Sequence, residues 1–116
     1  MKRSLTAALI LVALTFAGFA QAQKNQPQMR ELLGHVTDRA DAPLPNAIVY
    51  LKNTRTLTVK TFITGNDGKY RFPSLAQNVD YDVYAEYQGK RSDTKTLSSF
   101  DSRTQAYINL KVDASK

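Results

Sequence analysis

His35 is the only histidine in this 116-residue chain, and there is no cysteine. Zinc hydrolysis needs several nitrogen or sulfur ligands around a position left open for water. A serine nucleophile needs a histidine base that a carboxylate holds in place. One histidine without a thiol meets neither requirement, and Ser74, Ser92, Ser98 and Ser99 stand in no nucleophile-elbow context. His35 therefore reads as a surface or edge residue of a strand. The stretch "TFITGNDGKYRF" (61–72) brings Asn66 and Asp67 together, which raises the question of calcium. Calcium takes six to eight oxygens, and its loops alternate acids and amides over about twelve residues before a closing Glu. A single carboxylate flanked by Lys69 and Arg71 falls short of that. The same residues suit a type I turn followed by a left-handed residue, with Asn66 or Asp67 bonded to nearby backbone and Gly68 taking the positive φ. Asn66, Asp67 and Gly68 are thus expected to close a hairpin and send Tyr70 and Phe72 into the core. No catalytic residue, metal or cofactor is expected.

Six tyrosines and no tryptophan leave one further chemistry, stacking on sugars. Tyr50, Tyr84 and Tyr107 fall on outward faces of their segments and would form a platform if their strands were neighbours. Covering exposed sheet backbone is an equally good use for them.

The elements that must position these residues are short and rich in Val, Ile, Thr, Tyr and Phe. They run over 32–38, 46–53, 57–64, 69–72, 81–88, 92–98 and 104–112, with turn residues between them. About seven strands without helical periodicity predict an all-β sandwich. Alternation assigns Ala47, Val49 and Leu51 to the core, as it does Tyr81, Val83, Ala85 and Tyr87, and Ala106, Ile108 and Leu110. In the third strand the phase stays open, because Val59 and Ile63 compete with Phe62.

Lys2 and Arg3, the apolar run "LTAALILVALTFAGF" and the small residues of "AQA" (20–22) have the layout of a signal peptide cleaved after Ala22. The apolar run is shorter than the roughly 20 residues that span a bilayer. Residues 1–22 are read as signal peptide, 23–30 as a flexible lead-in, 31–113 as the domain and 114–116 as a tail. Processing leaves 94 residues and lowers the formal charge from +6 to +4. That excess suits anionic envelope polymers or lipid headgroups. The basic residues form no stripe, so nucleic acid is not expected as a partner. Without cysteine there is neither a disulfide nor a lipid-modified anchor.

"GHVTDRADAPLPNAIVYLKN" resembles the opening of a carboxypeptidase regulatory-like domain, through Gly34, Val36, Asp38, Pro45, Ala47, Val49 and Leu51. "TGNDGKYRFPSL" is similar to the second signature of that family, through Thr64, Asp67, Gly68, Tyr70, Phe72 and Leu75, and "YDVYAEYQG" to the strand and turn that follow. Gly65 replaces the family's usual Asn or Asp after the Thr, and "AQNVDY" lacks its Pro-Gly. The resemblance implies a seven-stranded Greek-key sandwich of the prealbumin (transthyretin) type. In the founding enzymes it is a non-catalytic accessory domain beside a zinc peptidase.

Hydroxyisourate hydrolases share that fold but end in Tyr-Arg-Gly-Ser, whereas this chain ends "LKVDASK". Collagen-adhesin B-type repeats, a related sandwich, form a Lys–Asn isopeptide bond assisted by a carboxyl group. Glu86 and Asn109 would supply two of its parts, but the first strand offers no lysine nucleophile. The expectation is an exported, periplasmic or secreted, non-catalytic β-sandwich with no transmembrane segment in the mature chain. It would act as a binding or structural module toward an envelope protein or polysaccharide. The alternative is a carbohydrate-binding module using Tyr50, Tyr84 and Tyr107, with a small hydrolase a distant third.

Overall fold

Branched and small apolar residues at every second position give most strands one dry side, and two such sheets close on each other. The computed structural model describes residues 29–114, so the expected signal peptide, most of the lead-in and the last two residues lie outside the described part. The strands are β1 (Met29–Thr37), β2 (Ile48–Asn53), β3 (Val59–Ile63), β4 (Lys69–Ala76), β5 (Tyr81–Tyr87), β6 (Lys90–Arg91), β7 (Lys95–Leu97), β8 (Gln105–Tyr107) and β9 (Leu110–Lys111). One sheet has the order β4-β1-β8, with β9 continuing along β1; the other has the order β3-β2-β5-β6, with β7 also on β5. β8 and β9 run parallel to β1, and every other pairing is antiparallel.

The core follows the alternation. Ala47, Val49 and Leu51 are buried on β2, as are Tyr81, Val83 and Ala85 on β5, while Tyr87 is only partly covered. Ala106 and Leu110 are buried and Ile108 is half-buried beside them. Tyr70 and Phe72 point inward from β4. The open phase of β3 resolves in favour of Phe62, which packs on Phe72 at 6.2 Å between ring centres, while Val59 and Ile63 face solvent.

Among the described residues there are nine strands, where about seven were expected. The 92–98 segment keeps pairing only at Lys95–Leu97, and Lys90–Arg91 pairs with β5 directly after the Gln88–Gly89 turn. The last segment breaks at Ile108–Asn109. There Ile108 N–H still donates to Leu33 O at 2.9 Å, but its carbonyl accepts from the Tyr70 hydroxyl at 2.5 Å. That hydroxyl takes the place of a ladder partner.

The predicted hairpin is corrected by the topology. Residues 64–68 do turn: Gly68 N–H donates to Gly65 O at 3.0 Å, Asp67 Oδ1 accepts from Lys69 N–H at 3.0 Å, and Gly68 has φ +70°. The strands on either side lie in different sheets, so the connection is an arch over the end of the sandwich. The expected lead-in (23–30) enters the described part only at its last two residues, and these belong to a strand. β1 begins at Met29, and Arg30 is 2% exposed.

Candidate functional site

Family-like residues on the connections serve the framework. Asp38 Oδ1 accepts from the Ala40 and Ala42 amides at 2.8 and 2.9 Å and shapes the β1–β2 loop. Buried Thr64 accepts from Ala47 N–H and donates to Leu44 O through one hydroxyl, tying that loop to the end of β3. A Cβ at Gly34 would stand 1.9 Å from Ile108 O and 2.6 Å from the Tyr70 ring, so only glycine lets that ring cross β1. Burial pushes the Tyr70 hydroxyl far above the ordinary tyrosine range, which keeps it a donor.

Arg30 is the residue that sequence reasoning missed. Its Nε donates to Ala76 O at 3.0 Å, Nη1 to Ser98 O and Asp101 O at 2.8 and 3.1 Å, and Nη2 to Val79 O at 2.6 Å. One planar fork thereby joins β4, the 77–80 turn and the 98–101 loop. This turn replaces the family's Pro-Gly, and Thr54 and Arg55 also bond to its carbonyls. The only sequence signal was an arginine at a position in phase with Leu32, Gly34 and Val36 on the inner face.

The three outward tyrosines do not form one platform. Tyr50 and Tyr84 are directly opposed on β2 and β5, with ring centres 4.9 Å apart and planes at 17°. Tyr50 donates its hydroxyl to Glu86 Oε1 at 3.0 Å, which raises the Tyr50 pKa. Arg91 places its guanidinium 4.3 Å from the Tyr84 ring centre and pairs with Glu86 at 3.5 Å. β2 and β6 flank β5 on opposite sides, so Tyr50 and Arg91 occupy both faces of Tyr84. A sugar stacking on Tyr84 would have to displace one of them. Glu86 is committed to this network, whereas Asn109 belongs to the other sheet, where its Oδ1 accepts from the His35 amide. The two parts considered for an isopeptide bond are therefore apart.

Tyr107 lies on the outer face of β4-β1-β8 and is 60% exposed. The register sets it opposite Leu33, which is itself opposite Arg71, and His35 is opposite Lys69. Leu33, His35, Lys69, Arg71 and Tyr107 line a groove of about 380 Å³ that reaches inward to Phe62 and Tyr70. Arg71 donates Nε and Nη2 to Glu31 Oε2 at 3.0 and 2.8 Å, and Gln105 donates to Glu31 Oε1 at 2.7 Å. These bonds, from Arg71 first, hold the Glu31 carboxyl below its ordinary range. Lys69 makes no ion pair among the described residues, so its ammonium is the uncompensated charge of the groove. The groove thus offers an exposed aromatic ring, an apolar floor and a cation. Among the described residues there is no cluster of three or more His, Cys, Asp or Glu that would hold a metal.

The sequence model of the carboxypeptidase regulatory-like domain family matches residues 31–113. No curated protein matches. Among solved structures, the major pilin subunit BcpA of Bacillus cereus superposes with a TM-score of 0.60 at 12% identity, over 77% of this chain and 31% of the pilin. Catechol 1,2-dioxygenase from Acinetobacter sp. ADP1 gives 0.55 at 14% identity, over 77% of this chain and 54% of the enzyme. A DUF3823 family protein from Parabacteroides merdae gives 0.56 at 14% identity, over 76% and 47%. The chain spans about half the length of the dioxygenase and about a third of the pilin. At these identities the likeness is one of fold, shared by structural and catalytic proteins alike.

Proposed function

The chain belongs to the carboxypeptidase regulatory-like domain family, and from that premise we propose that it is an exported, non-catalytic binding module of the cell envelope. Its binding face is the outer surface of β4-β1-β8, and its ligand is a glycan carrying an acidic group. The observation that carries this reading is the groove at Tyr107, lined by that exposed ring and by Lys69, whose ammonium makes no ion pair among the described residues. Aromatic rings contribute large contact area at small entropic cost, and a cation at the rim selects for anionic units. The expected signal peptide supports export, and among the described residues no helix is long and apolar enough to cross a membrane. Tyr50 and Tyr84 contribute rigidity to the other sheet in this reading, since they stack on each other and Arg91 covers the second side of Tyr84.

Affinity electrophoresis through gels containing a uronic-acid polysaccharide or a neutral glucan tests the proposal. The protein is expected to be retarded by the acidic polymer. Tyr107→Ala should abolish most of that retardation, Lys69→Gln should weaken it and make it insensitive to salt, and Tyr84→Ala should leave it unchanged. Retardation that survives Tyr107→Ala, or that Tyr84→Ala removes, would place binding elsewhere.

A further inference from the structure

We propose that the open edge of β3 pairs with the β3 edge of a second copy of this chain, about a two-fold axis at Thr61, to make one continuous sheet across the dimer. Hydrogen bonding within the sheet sets which groups are available. Asn53 N–H donates to Thr58 O and Thr64 N–H to Ala47 O, both at 2.9 Å, in the register Val49↔Phe62 and Leu51↔Lys60. Antiparallel pairs alternate between bonded and non-bonded, so Lys60 and Phe62 spend their backbone groups on β2. Val59, Thr61 and Ile63 then direct N–H and C=O off the edge.

A dyad at Thr61 satisfies all of these groups together. Thr61 meets its own copy, and Val59 meets Ile63 of the second copy on either side, each as a doubly bonded pair. On the outer face these are β-branched residues set against β-branched residues, a favoured cross-strand combination. Val59 and Ile63 are 52% and 64% exposed in the single chain. On the inner face Lys60 would meet Phe62 of the second copy, so no like charges are directly opposed. Those residues also border a cleft of about 780 Å³ between β3 and β4, floored by the Phe62 and Phe72 rings.

The other edges are guarded in ways that β3 is not. β4 carries Pro73, which lacks an N–H, and Ser74 at φ 61°, which bends the strand. β6, β7, β8 and β9 are two or three residues long. Short strands, proline and kinks are the usual protection against edge pairing. Only β3 among the described strands is a five-residue edge with neither proline nor positive φ.

Sedimentation of the full chain across a concentration series tests the pairing. The mass is expected to rise toward twice the monomer value. Thr61→Pro removes an outward N–H from each copy and none directed at β2. It should raise the dissociation constant by roughly tenfold or more, two hydrogen bonds being lost, while the circular dichroism spectrum and the melting of the dilute, monomeric protein stay unchanged. Single cysteines in this cysteine-free chain fix the register and keep the test decisive should the proline variant fail to fold. Thr61→Cys should cross-link on oxidation, since opposed Cα atoms in a bonded pair lie about 5.5 Å apart. Val59→Cys alone should not, its copies being roughly 14 Å apart along the strands, but mixed with Ile63→Cys it should form the heterodimer. A monomer at every concentration, a dimer indifferent to Thr61→Pro, equal cross-linking by Val59→Cys alone, or a strand of a different protein held at β3 would each overturn the proposal.

Discussion

At the scale of single residues, the strongest constraint is a charged side chain serving as scaffold. Arg30 replaces water for four backbone carbonyls from three segments of chain. Lysine has one donor centre and cannot reproduce that planar fork. Arg30→Met would leave buried carbonyls unpaired, at about 1–3 kcal/mol for each group. A loss of roughly 3 kcal/mol or more is therefore expected in urea denaturation, with Arg30→Lys in between. Asp101 adds a pH dependence at the same loop. Hydrogen bonds from Arg103 hold its carboxyl at about 2, below the ordinary 3.8. The unfolded chain takes up that proton first as pH falls. The contribution is complete above about pH 4 and disappears as pH drops through about 2. Glu31, lowered by Arg71 and Gln105, acts in the same direction. Replacing Asp101 with Asn should flatten the acid limb of the melting temperature against pH, and an unchanged limb would remove Asp101 from the account.

At the scale of elements, the arch at 64–68 shows what was legible in the sequence and what was not. Turn chemistry is local, so Asn66, Asp67 and Gly68 could be read from their residue types. Whether the next strand returns to the same sheet depends on where β1 lies, and that is non-local. β4 pairs with β1 because Leu32, Gly34 and Val36 present an inner face whose glycine admits the Tyr70 ring, and the spacing of 61–72 carries no trace of this. The phase of β3 was ambiguous for a related reason. An edge strand with Val59 and Ile63 exposed has apolar residues on both sides. Tyr107 was correctly placed on an outer face, but alternation within a strand cannot say which sheet the strand joins. Arg30 was hidden because a lone arginine beside polar residues reads as solvent-facing. Gly68→Val tests the arch directly. A Cβ there would stand 2.7 Å from Val36 O on a backbone at φ +70°, so a loss of about 2–4 kcal/mol is expected from strain and overpacking together. A chelator should leave the melting curve of the parent protein where it is.

At the scale of the molecule, the sandwich has two unlike outer faces and one open edge. The β3-β2-β5-β6 face is closed on itself through Tyr50, Glu86, Arg91 and Tyr84. The β4-β1-β8 face keeps an exposed ring, an ammonium without an ion pair among the described residues, and a groove. Pairing through β3 would leave both faces free and present two grooves per assembly, so that a polymer reaching both would gain from effective concentration. The central claim is that binding belongs to the Tyr107 face. The most direct measurement is a map of backbone amide shifts by nuclear magnetic resonance during titration with an acidic oligosaccharide. The account predicts saturable shifts at Leu33, His35, Lys69, Arg71 and Tyr107, with Tyr50 and Tyr84 unmoved. Shifts centred on Tyr50 and Tyr84, or none on either face, would contradict it.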